Sequence, residues 1–96
     1  MATLIKPDGE IIPDYKAQNG KWFTLKEIQD VVGGVITGIY YDDGRVMYVN
    51  DDGITLGLPM NQLATQLLPP AYAPFVFTVV LGNAIIVTPD EEESQR

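Results

Sequence analysis

The sequence contains no cysteine and no histidine. Without cysteine there is neither a disulfide framework nor a zinc-thiolate centre. Without histidine the chain lacks the commonest general base and the commonest transition-metal ligand. Basic residues are scarce as well: six Lys and Arg stand against thirteen Asp and Glu, and the net charge of −7 argues against a nucleic-acid backbone as the ligand. No apolar run approaches the roughly 20 residues that a membrane-spanning helix needs. The opening residues Met1-Ala2-Thr3-Leu4-Ile5-Lys6 lack the apolar stretch of a signal peptide. The expectation is a soluble, intracellular protein with no nucleic-acid or membrane partner.

What remains is ordinary for a globular chain. Of the 96 residues, 46% are hydrophobic and 20% charged, enough for one domain with a core of its own but near the size at which a partner subunit helps. Residues 1–89 read as a single α+β domain. Asp90-Glu91-Glu92-Glu93 opens an acidic tail, residues 90–96, expected to be solvated and disordered.

The chain is organised around Asn50 to Thr65, NDDGITLGLPMNQLAT. Gly53 after Asp51-Asp52 suits the left-handed position of a tight hairpin, and Gly57 suits a close approach of backbone to a neighbour. Pro59 fixes φ, and Asn61 is placed to cap a short second helix over about 61–68, whose Leu63, Ala64, Leu67 and Leu68 face the core before Pro69-Pro70 stops it. Thr55 to Leu58 is expected to be a strand pairing with Met47 to Asn50.

A stronger local signal marks the main helix, about 24–32. Thr24 with Glu27 three residues on makes a capping box, flanked by Phe23 and Ile28 in the two staple positions. Leu25, Ile28 and Val32 fall on one face with Val31 beside it, and Gly33-Gly34 ends the helix. Around these helices a twisted, mostly antiparallel sheet is expected. Thr3 to Lys6 and Glu10 to Tyr15 form an edge hairpin interrupted by Pro13, and Val35 to Tyr41 pairs with Arg45 to Asn50 across Asp42-Asp43-Gly44. Phe75 to Leu81 and Ala84 to Thr88 form a hairpin through Gly82-Asn83. These last two strands lack alternation, which places them in the sheet centre or at a subunit interface and predicts a homo-oligomer.

LKEIQDVVGGVI, then YVNDDGITLGLPMNQLAT, then VVLGNAIIV resembles a family of small uncharacterised proteins that form a domain of unknown function, common in phages, prophages and conjugative elements. The pattern reads LQ-x-VGG, N-x-x-G-x-x-x-GLP-x-N and G-N. The residues that carry it here are Gln29, Val32, Gly33, Gly34, Asn50, Gly53, Gly57, Leu58, Pro59, Asn61, Ala64, Gly82 and Asn83. The resemblance implies a phage or mobile-element accessory protein acting in the cytoplasm of a bacterial host.

Catalysis is not expected, because Asp42, Asp43, Asp51 and Asp52 sit in turns that leave a carboxylate unperturbed. A calcium loop is excluded too, since aligning Gly53 with the sixth loop position puts Tyr48 where the first ligand belongs. No cofactor or metal is expected. The expected activity is sequestration of a small, nucleotide-derived ligand as an anti-defence protein. Its site would combine Asn50, Gly53, Gly57, Asn61 and Thr65 with Arg45 as the cation and Tyr48 for stacking. The alternative is an inhibitor or adaptor that binds a host protein, acidic mimicry of DNA included.

Overall fold

The computed structural model describes residues 2–18, 20, 22–69 and 79–89. Five strands form one antiparallel sheet: β1 (Ala2–Ile5), β2 (Ile11–Tyr15), β3 (Ile36–Tyr40), β4 (Val46–Asn50) and β5 (Ala84–Val87), in the order β2-β1-β5-β4-β3. Three helices complete the described fold: α1 (Leu25–Val32), α2 (Gly53–Leu56) and α3 (Gln62–Gln66). The class is α+β, with one main helix. Two local hairpins, β1-β2 and β3-β4, are joined into one sheet when the last strand enters between them and pairs with β1 on one side and β4 on the other.

That central position explains the unbroken apolar run of β5. Its residues alternate between two cores, and all four are buried. Ile85 and Val87 join Leu4, Val46, Phe23, Ile28 and Val32 beneath α1, while Ala84 and Ile86 join Ile5, Met47, Val49, Ala64 and Val80 on the opposite face. A strand covered on both faces has no solvent side on which to place polar residues.

The expected hairpin of Phe75 to Leu81 with Ala84 to Thr88 does not form in the described part. Both edges of β5 are already taken by β1 and β4, and Leu81 bridges Met60 instead. Phe75 to Thr78 lie outside the described residues, as does the tail, 90–96. The expected strand Thr55 to Leu58 is also replaced: Gly53–Leu56 is a single helical turn, because β4 has β3 and β5 on its two sides and offers no edge for pairing.

Local signals placed α1 well. Thr24 accepts from the Glu27 amide at 3.2 Å, the Glu27 carboxylate reaches back to the Thr24 amide, and Gly33 closes the helix in the left-handed region at φ 88°. Ile28 and Val32 are buried as expected. Leu25 is not: at 55% exposure it lies off the buried stripe. On α3, Ala64 is buried, Leu63 and Leu68 are half-buried, and Leu67 is exposed rather than core-facing. The helix stops at Gln66, before the prolines, as the Leu67 and Leu68 amides turn back to the carbonyls of Ala64 and Thr65.

Candidate functional site

Asparagines with buried or half-buried side chains hold the stretch from Asn50 to Thr65 to the rest of the fold. Asn61 caps α3 through its Oδ1, which accepts from the Ala64 amide at 3.1 Å. Its Nδ2 donates at 2.9 Å to two carbonyls, those of Ile5 at the end of β1 and Gly82 just before β5. The cap expected from sequence is therefore also a three-way tie, with every hydrogen-bonding group of a fully buried amide engaged. Thr65, one turn on, donates its hydroxyl to the Asn61 carbonyl and accepts from the Val80 amide.

A second tie holds the end of α1. Asn50 Nδ2 donates to the Val32 carbonyl at 3.0 Å, and Asn83 Nδ2 donates to the Val31 carbonyl at 2.9 Å. Both satisfy carbonyls in the last turn of the helix, where intrahelical donors run out. Asn50 Oδ1 accepts from the Asp52 amide at 2.7 Å, fixing the turn that leads into α2.

The two glycines of the stretch exchange the roles assigned to them from sequence. Gly57, not Gly53, is left-handed: it closes α2 at φ 67°, with open space where a Cβ would stand. Gly53 is the position of close approach. A Cβ there would lie 2.8 Å from Leu81 Cβ, inside any ordinary contact distance.

A groove of about 490 Å³ opens on the α3 face of the sheet. Ile5, Ile86, Leu63 and Leu67 supply its apolar surface, with Ile11 beside Ile5, Thr3 beside Ile86, and Tyr41 and Arg45 completing the lining. Tyr41 and Arg45 flank the β3-β4 turn, where the Tyr41 amide donates to the Arg45 carbonyl at 2.9 Å. The Arg45 guanidinium lies 4.7 Å from the Tyr41 ring centroid, a cation-π distance, and its Nε donates to Asp43 Oδ2 at 2.8 Å. Tyr41 donates its hydroxyl to the Leu67 carbonyl at 2.6 Å, joining this turn to the end of α3. Partial burial raises the Tyr41 pKa above its ordinary 10.0, opposed by the neighbouring Arg45 charge. The Asp43 carboxyl is held below its ordinary 3.8, first by the Arg45 backbone N-H and then by the guanidinium.

Of the seven residues expected to form a site, only Arg45 lines this groove. Asn50, Asn61 and Thr65 turn their polar groups to backbone, and Gly53 and Gly57 belong to α2. Tyr48 packs against the core beneath α1, on the face of the sheet opposite Met47 and Ile86. The stretch brings Asn61 and Thr65 together but not Arg45 with Tyr48. Tyr41 and Leu67 were missed as lining residues; Leu67 falls on the stripe expected to face the core, so nothing in the sequence set it apart. Among the described residues, no three acidic side chains gather closely enough to hold a metal ion, and no helix is long and apolar enough to cross a membrane.

No curated protein and no solved structure matches the chain significantly. The pattern of one family, described as Domain of unknown function (DUF3846), matches residues 2–96, and with that match spanning nearly its whole length the chain belongs to this family.

Proposed function

We propose that the protein is a non-enzymatic binding protein of a phage or other mobile element that sequesters a small anionic ligand with an apolar or aromatic body, such as a nucleotide-derived defence signal. The observation that carries the reading is the groove: about 490 Å³ of mostly apolar surface, with the guanidinium of Arg45 and the Tyr41 ring at one end. A site of that size and lining takes a small molecule, its apolar surface holding the body and its few polar groups fixing orientation. Arg45 offers a planar fork to a phosphate or carboxylate, and Tyr41 offers a ring that is itself pinned to Leu67. Of the Asn50 to Thr65 stretch only Leu63 lines the groove, and the asparagine ties hold α3 in place as one wall.

The test is native mass spectrometry of protein purified from cells, with equilibrium dialysis against adenosine monophosphate as a defined probe. Retention of a small molecule by wild type, weakened at least roughly tenfold in Arg45→Glu and in Leu67→Trp, supports the reading; a tenfold loss corresponds to about 1.4 kcal/mol. Equal behaviour of wild type and both variants, or a wild type that retains and binds nothing, overturns it.

A second reading, antagonism of a host protein, is favoured by α2 and the residues after it. Ile54 is 84% exposed, and Leu56 and Met60 are more than half exposed, three exposed apolar side chains close in sequence that invite a protein surface.

A further inference from the structure

We infer that a second copy of this chain pairs with the outer edge of β3, antiparallel about Gly38, to make a continuous sheet across two protomers. Among the described residues the two edges of the sheet are built differently. On β2 the chain carries Pro13, a left-handed Asp14 at φ 59° and a register irregularity against β1, all of which spoil an edge for further pairing. On β3 there is no proline, no charge and no irregularity: Ile36, Thr37, Gly38, Ile39 and Tyr40 pair with Asn50 through Val46 without a break.

The ladder fixes which of these residues face outward. The Tyr41 amide donates to the Arg45 carbonyl and the Asp51 amide to the Val35 carbonyl, so each flanking pair is of the hydrogen-bonded kind. In an antiparallel pair such residues alternate, which turns Thr37 and Ile39 toward β4 and leaves the N-H and C=O groups of Ile36, Gly38 and Tyr40 pointing away from the sheet. These three positions are symmetric about Gly38. A twofold axis there sets Ile36 opposite the partner's Tyr40 and Gly38 opposite the partner's Gly38, so that six outward groups on one copy meet six on the other. The edge is its own complement, as a closed twofold interface requires.

Electrostatics select the same occupant and orientation. A chain of net charge −7 repels its own copies over most of its surface, but β3 carries no ionisable group that is charged at neutral pH. In the antiparallel arrangement Asp42 and Asp43, in the turn at one end of β3, lie opposite the partner's uncharged Gly34 and Gly33, so the acids of that turn do not face each other across the axis. Apart from Thr37, whose hydroxyl donates to the Asp51 carboxylate, the side chains beside the axis are apolar or aromatic: Tyr40 is 67% exposed, and its hydroxyl lies over Gly38, where a Cβ would stand 3.2 Å from Val46 and 3.4 Å from Tyr48. Gly38 thus adds no side chain of its own at the axis and makes room for Val46, Tyr48 and the Tyr40 hydroxyl on that face.

Sedimentation velocity at micromolar concentration, combined with amide hydrogen exchange read residue by residue, tests the inference. The expected result is the mass of two chains, with the Ile36, Gly38 and Tyr40 amides protected and losing that protection roughly tenfold or more on dilution, while Thr37 and Ile39 stay protected through β4. Tyr40→Pro, which removes an outward N-H and no bond within the sheet, is expected to give a monomer. A monomeric wild type overturns the inference, as does a dimer whose three edge amides exchange freely. If Tyr40→Pro does not fold, the exchange pattern of the wild type decides between these outcomes.

Discussion

The side-chain amide of Asn61 donates to the Ile5 carbonyl at 2.9 Å, a bond between the start of α3 and the end of β1 that spans 56 residues of chain. The same nitrogen donates to Gly82, and the side-chain oxygen caps Ala64. Aspartate is as good a cap as asparagine in isolation, yet here it keeps only the cap and turns a carboxylate toward two carbonyl oxygens. Asn61→Asp is therefore expected to cost about 3–5 kcal/mol at neutral pH, the usual consequence of an uncompensated buried charge. Burial without a donor raises the folded-state pKa of the introduced acid, so the folded form binds the proton more tightly than the unfolded form does. The loss then grows as pH rises through the ordinary carboxylate range toward the folded value, and is smallest in acid. Urea melts of wild type and variant at pH 4 and pH 7 measure the difference. A penalty that does not depend on pH would mean that the carboxylate reaches water.

Gly53 and Gly57 are both glycine for reasons that can be separated by coupling. Alanine at Gly53 places a Cβ 2.8 Å from Leu81 Cβ, and such overpacking costs about 1–3 kcal/mol. At Gly57 alanine meets nothing within 4 Å but must hold φ near 67°, which costs about 1–2 kcal/mol for an L-residue. Leu81→Ala keeps the Cβ but removes the Cδ1 that would lie 3.3 Å away, so it is expected to relieve part of the first cost and none of the second. Double-mutant cycles in denaturant check this, with Gly53→Ala coupled to Leu81→Ala by at least about 0.5 kcal/mol and Gly57→Ala additive with it. Additivity in both cycles would leave the Cβ of residue 81, which alanine keeps, as the whole obstacle at Gly53.

What the sequence made legible follows the range of the interactions involved. The limits of α1 rest on Thr24, Glu27 and Gly33, which act within one or two turns of chain, and the start of α3 rests on Asn61 and Ala64 in the same way. The apolar run Ala84–Val87 signalled a strand covered on both faces. Its neighbours were not legible, because they depend on β1 and β4 being paired elsewhere already. For α2 the local preference pointed the wrong way: Ile54 and Thr55 favour extended backbone, and the turn forms because no sheet edge is offered to them. The groove was hidden for a related reason. Thr3, Tyr41, Leu67 and Ile86 come from four separate parts of the chain and meet only once the sheet order is set. Arg45 was picked out as a cation in a chain that has few, and its companions in the sequence stretch proved to hold backbone instead.

Tyr41 links the groove to the turn that carries Arg45, and its titration reports on that link. Burial raises its pKa above 10.0, and the Arg45 charge moderates the rise. Because the folded-state value lies above the unfolded one, the stability associated with the neutral phenol is fully present below pH 10 and is lost as pH rises through the folded value. Tyr41→Phe is expected to delete this alkaline phase from a phenolate absorbance titration and to flatten the fall in stability above pH 10, while losing the hydrogen bond to Leu67. Arg45→Gln removes the opposing charge and is expected to move the Tyr41 transition to still higher pH. The Asp43 carboxyl should rise only in part, since the first cause of its lowered pKa is the Arg45 backbone N-H, which glutamine keeps. Side-chain carbon shifts of Asp43 followed through the acid range, together with the phenolate titration, read both groups in one pair of proteins. If Tyr41 titrates at the same pH in wild type and Arg45→Gln, the guanidinium does not lie over the ring in solution, and Arg45 would have to reach a ligand from a different position at the rim.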